Sequence, residues 1–331
     1  MAREKEKVSI IVPVYNAADT LEETLRSLLN QDEEITEIIC VDDCSTDGSR
    51  RILKRYEDFA DNIRVVLHDR NQGTLMTRRD GVRNATGKYI MFVDSDDGLP
   101  EDTCTYLAKR MKETGVDIIC FGTDVFAQCD VSEQMLAGVR EVLHNVPGVY
   151  ENMSLLDTVF VDHRISMTMW NKIYRADIVK AAFDQAPEGR FLLGEDVFIT
   201  FLCMYYAKRM ICEERICYRY RVGNGISTTV TMTPKKMEDC CATATLAATL
   251  QDFMEKESCA ETYRSALDAY SFMMMNDCIY KWLTYVDMSM KAETFEILDR
   301  TWGAYKVIRH LVEHRNSLEN QAAIADMLVG V

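Results

Sequence analysis

The chain has 331 residues, 47% of them hydrophobic and 27% charged, enough apolar material for one large domain plus an appendage. Its formal net charge of −15 argues against nucleic acid or an anionic membrane as a default partner, and any phosphorylated ligand would need a local cation. The 12 cysteines include no C-x-x-C pair and no zinc spacing, MAREKEK runs into a strand-like stretch without a leader pattern, and no apolar run approaches a membrane span, so a cytoplasmic protein is expected.

Val8 to Tyr15 (VSIIVPVY) is a continuous apolar run that predicts a buried, parallel-type strand. Leu21, Leu25, Leu28 and Leu29 then recur at helical spacing over Asp19 to Asn30. Ile35 to Val41 reads as a second strand leaving through the polar loop Asp42-Asp43-Cys44-Ser45-Thr46-Asp47-Gly48-Ser49, followed by an Arg-rich helix to about Tyr56. A third strand is expected at Ile63 to Leu67, and a helix carrying Arg78, Arg79 and Arg83 at Gly73 to Ala85. Tyr89 to Val93 is the fourth strand. Pro100 opens a helix to about Glu113, and Val116 to Gly122 is the fifth strand. This alternation predicts an α/β fold with a mostly parallel central sheet, its strand exits gathered at one edge.

The fourth strand delivers Asp94, Asp96 and Asp97 together. Burying such carboxylates unpaired costs several kcal/mol each, so they belong at the strand's mouth, facing water or a cation. Asp-Ser-Asp offers hard oxygen ligands suited to Mg²⁺ or Mn²⁺, whereas the plain alternative is a solvated loop capping the next helix.

After Thr123 the pattern loosens. Gln128 to Tyr150 reads as irregular, with a hairpin as one option; Glu151 to Phe160 reads as helical, and Ser166 to Tyr174 mixes aromatic and polar residues. Trp170 is more often core than a sugar platform, and Lys172 and Arg175 are expected to be surface charges. Gly194 leads through Glu195 and Asp196 into an apolar helix over Val197 to Ala207, acids in the first turn suiting the helix dipole. Met210 to Val222 reads as a strand or hairpin before the Gly223-Asn224-Gly225 loop. Beyond Pro234, long helical stretches over Thr233 to Glu257 and Ala260 to Met288, then a further helix pair, predict a helical subdomain. Leu267, Tyr270, Met274, Cys278 and Trp282 form one stripe of it, read as core or a dimer face, and His310 and His314 are expected on a solvated face.

Taken in order, SIIVPVYN, VDDCSTDGS, NQGTLMTRRDGVRNATGKYIMFVDSDD, WNKIYR, GEDVFITF and YRYRVGNGIST make the chain resemble a family 2 glycosyltransferase with the GT-A fold. The resemblance covers Val8 to Thr228 and leaves out the helical tail. It implies residues 1–232 as the GT-A domain, with a nucleotide-binding half over 1–122 and an acceptor half over 123–232; the helical pattern by itself sets residues 233–331 apart as a C-terminal helical subdomain. It also implies metal-dependent, inverting transfer of a hexosyl or N-acetylhexosaminyl unit from a UDP-sugar to a glycan or lipid-linked acceptor, in surface polysaccharide or glycoconjugate synthesis. Peripheral association with the inner face of the membrane and a homodimer through the tail are further expectations.

By position, Pro13 and Tyr15 would form the base pocket, Asp43 would bind the uracil edge, and Arg78 would lie near the nucleotide. Asp94 and Ser95 would touch donor or metal, Asp96 would ligate Mn²⁺ or Mg²⁺, and Asp196 would be the general base. Trp170, Glu195, Arg219 and Arg221 are carried as acceptor or diphosphate contacts. The chain departs from the family at Thr77-Arg78-Arg79, where Ala-Arg-Asn is usual, and offers no His between Tyr218 and Ser227. A non-catalytic nucleotide-sugar or glycan-binding relative and a nucleotidyltransferase are the competing readings. Intact Asp96 and Asp196 weigh against the first, and PVYNAADT in place of a glycine- and lysine-rich loop weighs against the second.

Overall fold

A computed structural model describes residues 6–127, 131–151, 154–222 and 232–314. The chain divides into two compact units, Met1–Arg190 with Ile199–Asn224, and Phe191–Phe198 with Gly225–Val331.

The first unit is built on an eight-stranded sheet in the order β3-β2-β1-β4-β7-β5-β8-β6. Strands β1 (Val8–Val14), β2 (Thr36–Asp42), β3 (Ile63–Leu67) and β4 (Tyr89–Phe92) run parallel, and β1, β2 and β4 are buried along almost their whole length, as largely apolar sequences suit in a parallel sheet. Helices α1 (Leu21–Leu29), α2 (Ser49–Phe59), α3 (Thr74–Asn84) and α4 (Thr103–Thr114) provide the crossovers, within a few residues of the ends expected. The strand order steps outward from β1 through β2 to β3 and then returns to β4 on the other side of β1. That reversal opens a crevice at the carboxyl ends of β1 and β4, where open α/β sheets bind their ligands.

Beyond β5 (Ile118–Ala127) several expectations need correction. The 128–150 region holds a helix, α5 (Glu133–Val142), and a short strand, β6 (Gly148–Glu151), rather than a hairpin. Ser132 caps α5 by accepting from the Met135 amide, a local signal that outweighs the weak periodicity. After α6 (Ser154–Phe160), the mixed stretch contains β7 (Lys172–Arg175), antiparallel to both β4 and β5, followed by α7 (Ala176–Asp184). Lys172 is no surface charge: it is fully buried, and its ammonium donates to the carbonyls of Ser166 and Thr168 and to Asn171 Oδ1 at 2.7–2.8 Å. Strand β8 (Arg209–Val222) pairs parallel with β5, with the register slipping around Gly122.

The second unit takes its first piece from the middle of the chain, so a single boundary at residue 232 does not describe it. Helix α8 (Glu195–Tyr206) starts in this piece. Gly194 has φ +75, and a Cβ there would stand 2.8 Å from Met274 Sδ, which ties the segment to the helical core. Helices α9 (Pro234–Cys241) and α10 (Thr243–Lys256) replace the single helix expected; the Thr243 hydroxyl donates to the Cys240 carbonyl at the break. Helix α11 (Arg264–Tyr285) buries Leu267, Tyr270, Met274 and Cys278, and α12 (Lys291–Trp302) and α13 (Ala304–Glu313) complete the expected pair. His310 is buried against Asn276 and Phe272, not solvated. No described helix is long and apolar enough to cross a membrane. The Gly223-Asn224-Gly225 loop lies outside the described residues.

Candidate active site

Three loops meet at the crevice, each following a parallel strand. Tyr15 stands at the exit of β1 with 48% of its surface exposed, the half-open placement a stacking platform needs, and Pro13 precedes it as a partly buried residue of the same strand. The loop after β2 is laced to this exit: Asn16 and Ala17 amides donate to the hydroxyls of Ser45 and Ser49, and the Asp43 amide donates to the Val14 carbonyl.

Asp43 itself is buried. Its Oδ1 lies 2.8 Å from His68 Nδ1 and accepts the Gln72 amide, and its Oδ2 accepts the Gly73 amide. These contacts fix the turn into α3, and Gly73, at φ +88, adopts the left-handed conformation that the turn requires. From α3, the buried Arg78 donates to Asp94 Oδ1 at 2.8 Å, linking that helix to the loop after β4. The neighbouring Arg79 is also buried and pairs with Glu188, so the extra cation relative to the family pattern is spent on a loop contact.

The acidic loop is held from below and from the side. Thr20, just before α1, and Thr24 on it both donate to the Ser95 carbonyl at 3.0 Å. From β8, the Tyr218 hydroxyl accepts the Asp94 amide and donates to Asp97, the Arg221 amide donates to Asp97, and the Arg221 guanidinium reaches the Asp96 carbonyl and Glu23. Gly98 and Arg219 exchange backbone hydrogen bonds. Arg221 is thus a buried strut under the loop, while Arg219 remains half-exposed over the Phe126 ring. Trp170 is buried and stacks at 4.5 Å on Tyr218 and 5.0 Å on Tyr220, so it presents packing to the strand that holds the loop.

This bracing keeps carboxylates close together. Burial, and then the Asp94 and Asp96 charges, push Asp97 up to about 8; burial and the Asp94 charge push Asp96 up to about 6. Among the described residues, only its own amide bonds to the Asp96 carboxylate. Among those residues, too, no group of three or more His, Cys, Asp or Glu could enclose a metal ion. Asp94 and Asp96 instead offer the pair of carboxylates that Mg²⁺-type ions share with substrate phosphates, so the residues present fit such an ion.

Glu195 and Asp196 lie in the first turn of α8, in the second unit, where Asp196 Oδ1 accepts the Val197 amide. The residue that sequence reasoning missed is His68. It is a lone histidine at the exit of β3, and the two acids flanking its ring, Asp43 and Asp80, are distant in sequence.

Comparison with known proteins agrees with this geometry. The profile of glycosyl transferase family 2 matches residues 9–176. EpsH of Bacillus subtilis is 28% identical over 283 residues, which cover 85% of this chain and 79% of its own. The poly(ribitol-phosphate) beta-glucosyltransferase of Bacillus spizizenii is 32% identical over 65% of this chain, which spans only 32% of that protein. Among solved structures, S. aureus TarS 1-349 in complex with UDP-GlcNAc superposes with a TM-score of 0.59 at 20% identity, covering 94% of this chain and 92% of that one, a likeness of fold. The profile takes in just over half the chain, including every loop that builds the crevice, and the chain belongs to glycosyl transferase family 2.

Proposed function

We propose that the protein transfers a sugar from a UDP-sugar to a hydroxyl of a glycan or lipid-linked acceptor, with inversion, in the synthesis of a surface polysaccharide or glycoconjugate. The observation that carries this reading is the Asp96 carboxylate, half-buried beside Asp94 at the exit of β4 and bonded only to its own amide among the described residues. The UDP-GlcNAc bound in the TarS structure and the glucosyl transfer in the name of the Bacillus spizizenii relative support the donor class.

In this reading Tyr15 stacks on the uracil, Asp43 accepts its N–H, and Arg78 orients Asp94 toward the donor. A divalent ion, Mn²⁺ or Mg²⁺, held by Asp94 and Asp96 would supply electrostatic stabilisation of the charge developing on the diphosphate. Asp196 takes the proton from the acceptor hydroxyl as that oxygen bonds to the anomeric carbon and the bond to UDP breaks on the opposite side.

The test is a donor-turnover assay with several UDP-sugars, with and without Mn²⁺. Release of UDP that depends on the ion and on one sugar supports the reading. Absence of turnover with every UDP-sugar, in the presence of a glycan or lipid acceptor, contradicts it.

A further inference from the structure

His68 has no place in the assignment above, yet it touches Asp43, the residue proposed to read the base. It is buried, with Nδ1 2.8 Å from Asp43 Oδ1 and Nε2 3.2 Å from Asp80 Oδ2 on α3. Its backbone is fixed as well: the His68 amide donates to the Asp42 carbonyl, and its carbonyl accepts from Arg50 at 2.7 Å. The ring is therefore held at both ends, and it bridges the loop after β2 to α3.

The Asp43 carboxylate shows what this bridge achieves. Each carboxylate oxygen has two lone-pair sites. Oδ1 spends both, on His68 and on the Gln72 amide, whereas Oδ2 spends one, on the Gly73 amide. One acceptor site is left, on Oδ2. Uracil carries a hydrogen on N3 where cytosine carries a lone pair, the cytosine donor being its N4 amine, so an acceptor fixed opposite N3 distinguishes the two bases. Without the Nδ1 contact each oxygen keeps a single backbone amide, Gln72 on Oδ1 and Gly73 on Oδ2, and the carboxylate loses its one side-chain tether.

We infer that His68 is a positioning residue for donor-base recognition: it fixes the Asp43 carboxylate so that the remaining Oδ2 site meets a uracil N–H, with Asp80 holding the ring in place. This rests on the reading of the crevice as a UDP-sugar site.

The test uses amide replacements that divide the two ring contacts. The Asn side-chain nitrogen falls near the Nδ1 position and the Gln nitrogen near the Nε2 position. Affinity for UDP and for CDP is measured by calorimetry on the full chain carrying Asp43→Ala, His68→Asn, His68→Gln or His68→Ala, with thermal melting to confirm folding. His68→Asn keeps UDP affinity within about threefold of the native protein, whereas His68→Gln and His68→Ala weaken UDP about tenfold and narrow its advantage over CDP. If Asp43→Ala weakens UDP but His68→Asn and His68→Gln behave alike, the role of His68 is overturned while the nucleotide site stands. If Asp43→Ala leaves UDP affinity unchanged, the nucleotide reading of the crevice fails. Should His68→Ala not fold, the Asn and Gln pair alone decides.

Discussion

At the scale of single residues, two carboxylates show how environment separates structural from chemical roles. Glu37 is buried, yet it accepts from Ser9, from the Thr86 amide and hydroxyl and from the Gly87 amide, and it pairs with Lys7. Burial alone would raise its pKa, but these partners outweigh burial and bring it down to about 2. A depressed folded-state pKa gives stability that is full above the ordinary glutamate value and lost as pH falls from about 4.5 through about 2. Denaturant melts across that window are expected to show a loss on the order of 2 kcal/mol that Glu37→Gln abolishes.

Asp96 has the opposite sign. Its pKa is raised to about 6, so stability falls as pH rises from the ordinary aspartate value of 3.8 to about 6, and the penalty of ionising it is complete above that. Asp96→Asn is accordingly expected to raise the melting temperature at pH 8 while lowering turnover by about 10²-fold or more. A variant that lost both stability and activity would make Asp96 a structural residue. Acid clusters were legible from sequence because three aspartates follow one apolar run, but their different fates were not. Asp97 is bound by Tyr218 and Arg221, more than a hundred positions away, and no local pattern announces that.

At the scale of elements, β8 emerges as the brace of the acidic loop, contributing Tyr218, Arg219 and Arg221 to its hydrogen bonds. Tyr218→Phe removes the acceptor of the Asp94 amide and the donor to Asp97 in one change. Leaving these buried groups unpaired costs about 1–3 kcal/mol, and kcat is expected to fall more than donor affinity, because the loop is misplaced rather than removed. Calorimetric unfolding and steady-state kinetics read the two effects separately.

Helix α3 makes the complementary case. A Cβ on Gly81 would collide with the Ile11 side chain of β1, so Gly81→Ala is expected to cost about 1–3 kcal/mol through overpacking, read as a lower denaturation midpoint. The parallel strands were legible because short, largely apolar runs rich in β-branched residues alternate with helical periodicity. Strand β7 was not, since WNKIYR mixes aromatic and polar residues without alternation, and its Lys172 is buried with its ammonium donating to backbone carbonyls that no sequence pattern announces.

At the scale of the whole molecule, the proposed function asks an acidic chain of net charge −15 to hold an anionic donor, and what it has nearby is local: the buried cations Arg78 and Arg221 beside an acid loop fit to share a cation. The helical tail was legible as a subdomain, but the membership of Phe191–Phe198 in it was not, because a left-handed Gly194 packed against Met274 leaves no trace in hydrophobic periodicity. That membership matters for Asp196, whose proposed role predicts a kinetic division. Asp196→Asn is expected to lower kcat by 10²-fold or more with UDP affinity unchanged, as removal of a general base requires.

Underlying all these roles is the claim that Asp94 and Asp96 form a cation-dependent seat for the diphosphate of the donor. Calorimetric titration of UDP into the full chain tests it directly, in Mn²⁺ and in chelator, for the native protein and for Asp96→Ala. Tight binding in Mn²⁺ that is lost both in chelator and in the variant is the result predicted; equal binding under all these conditions would contradict it.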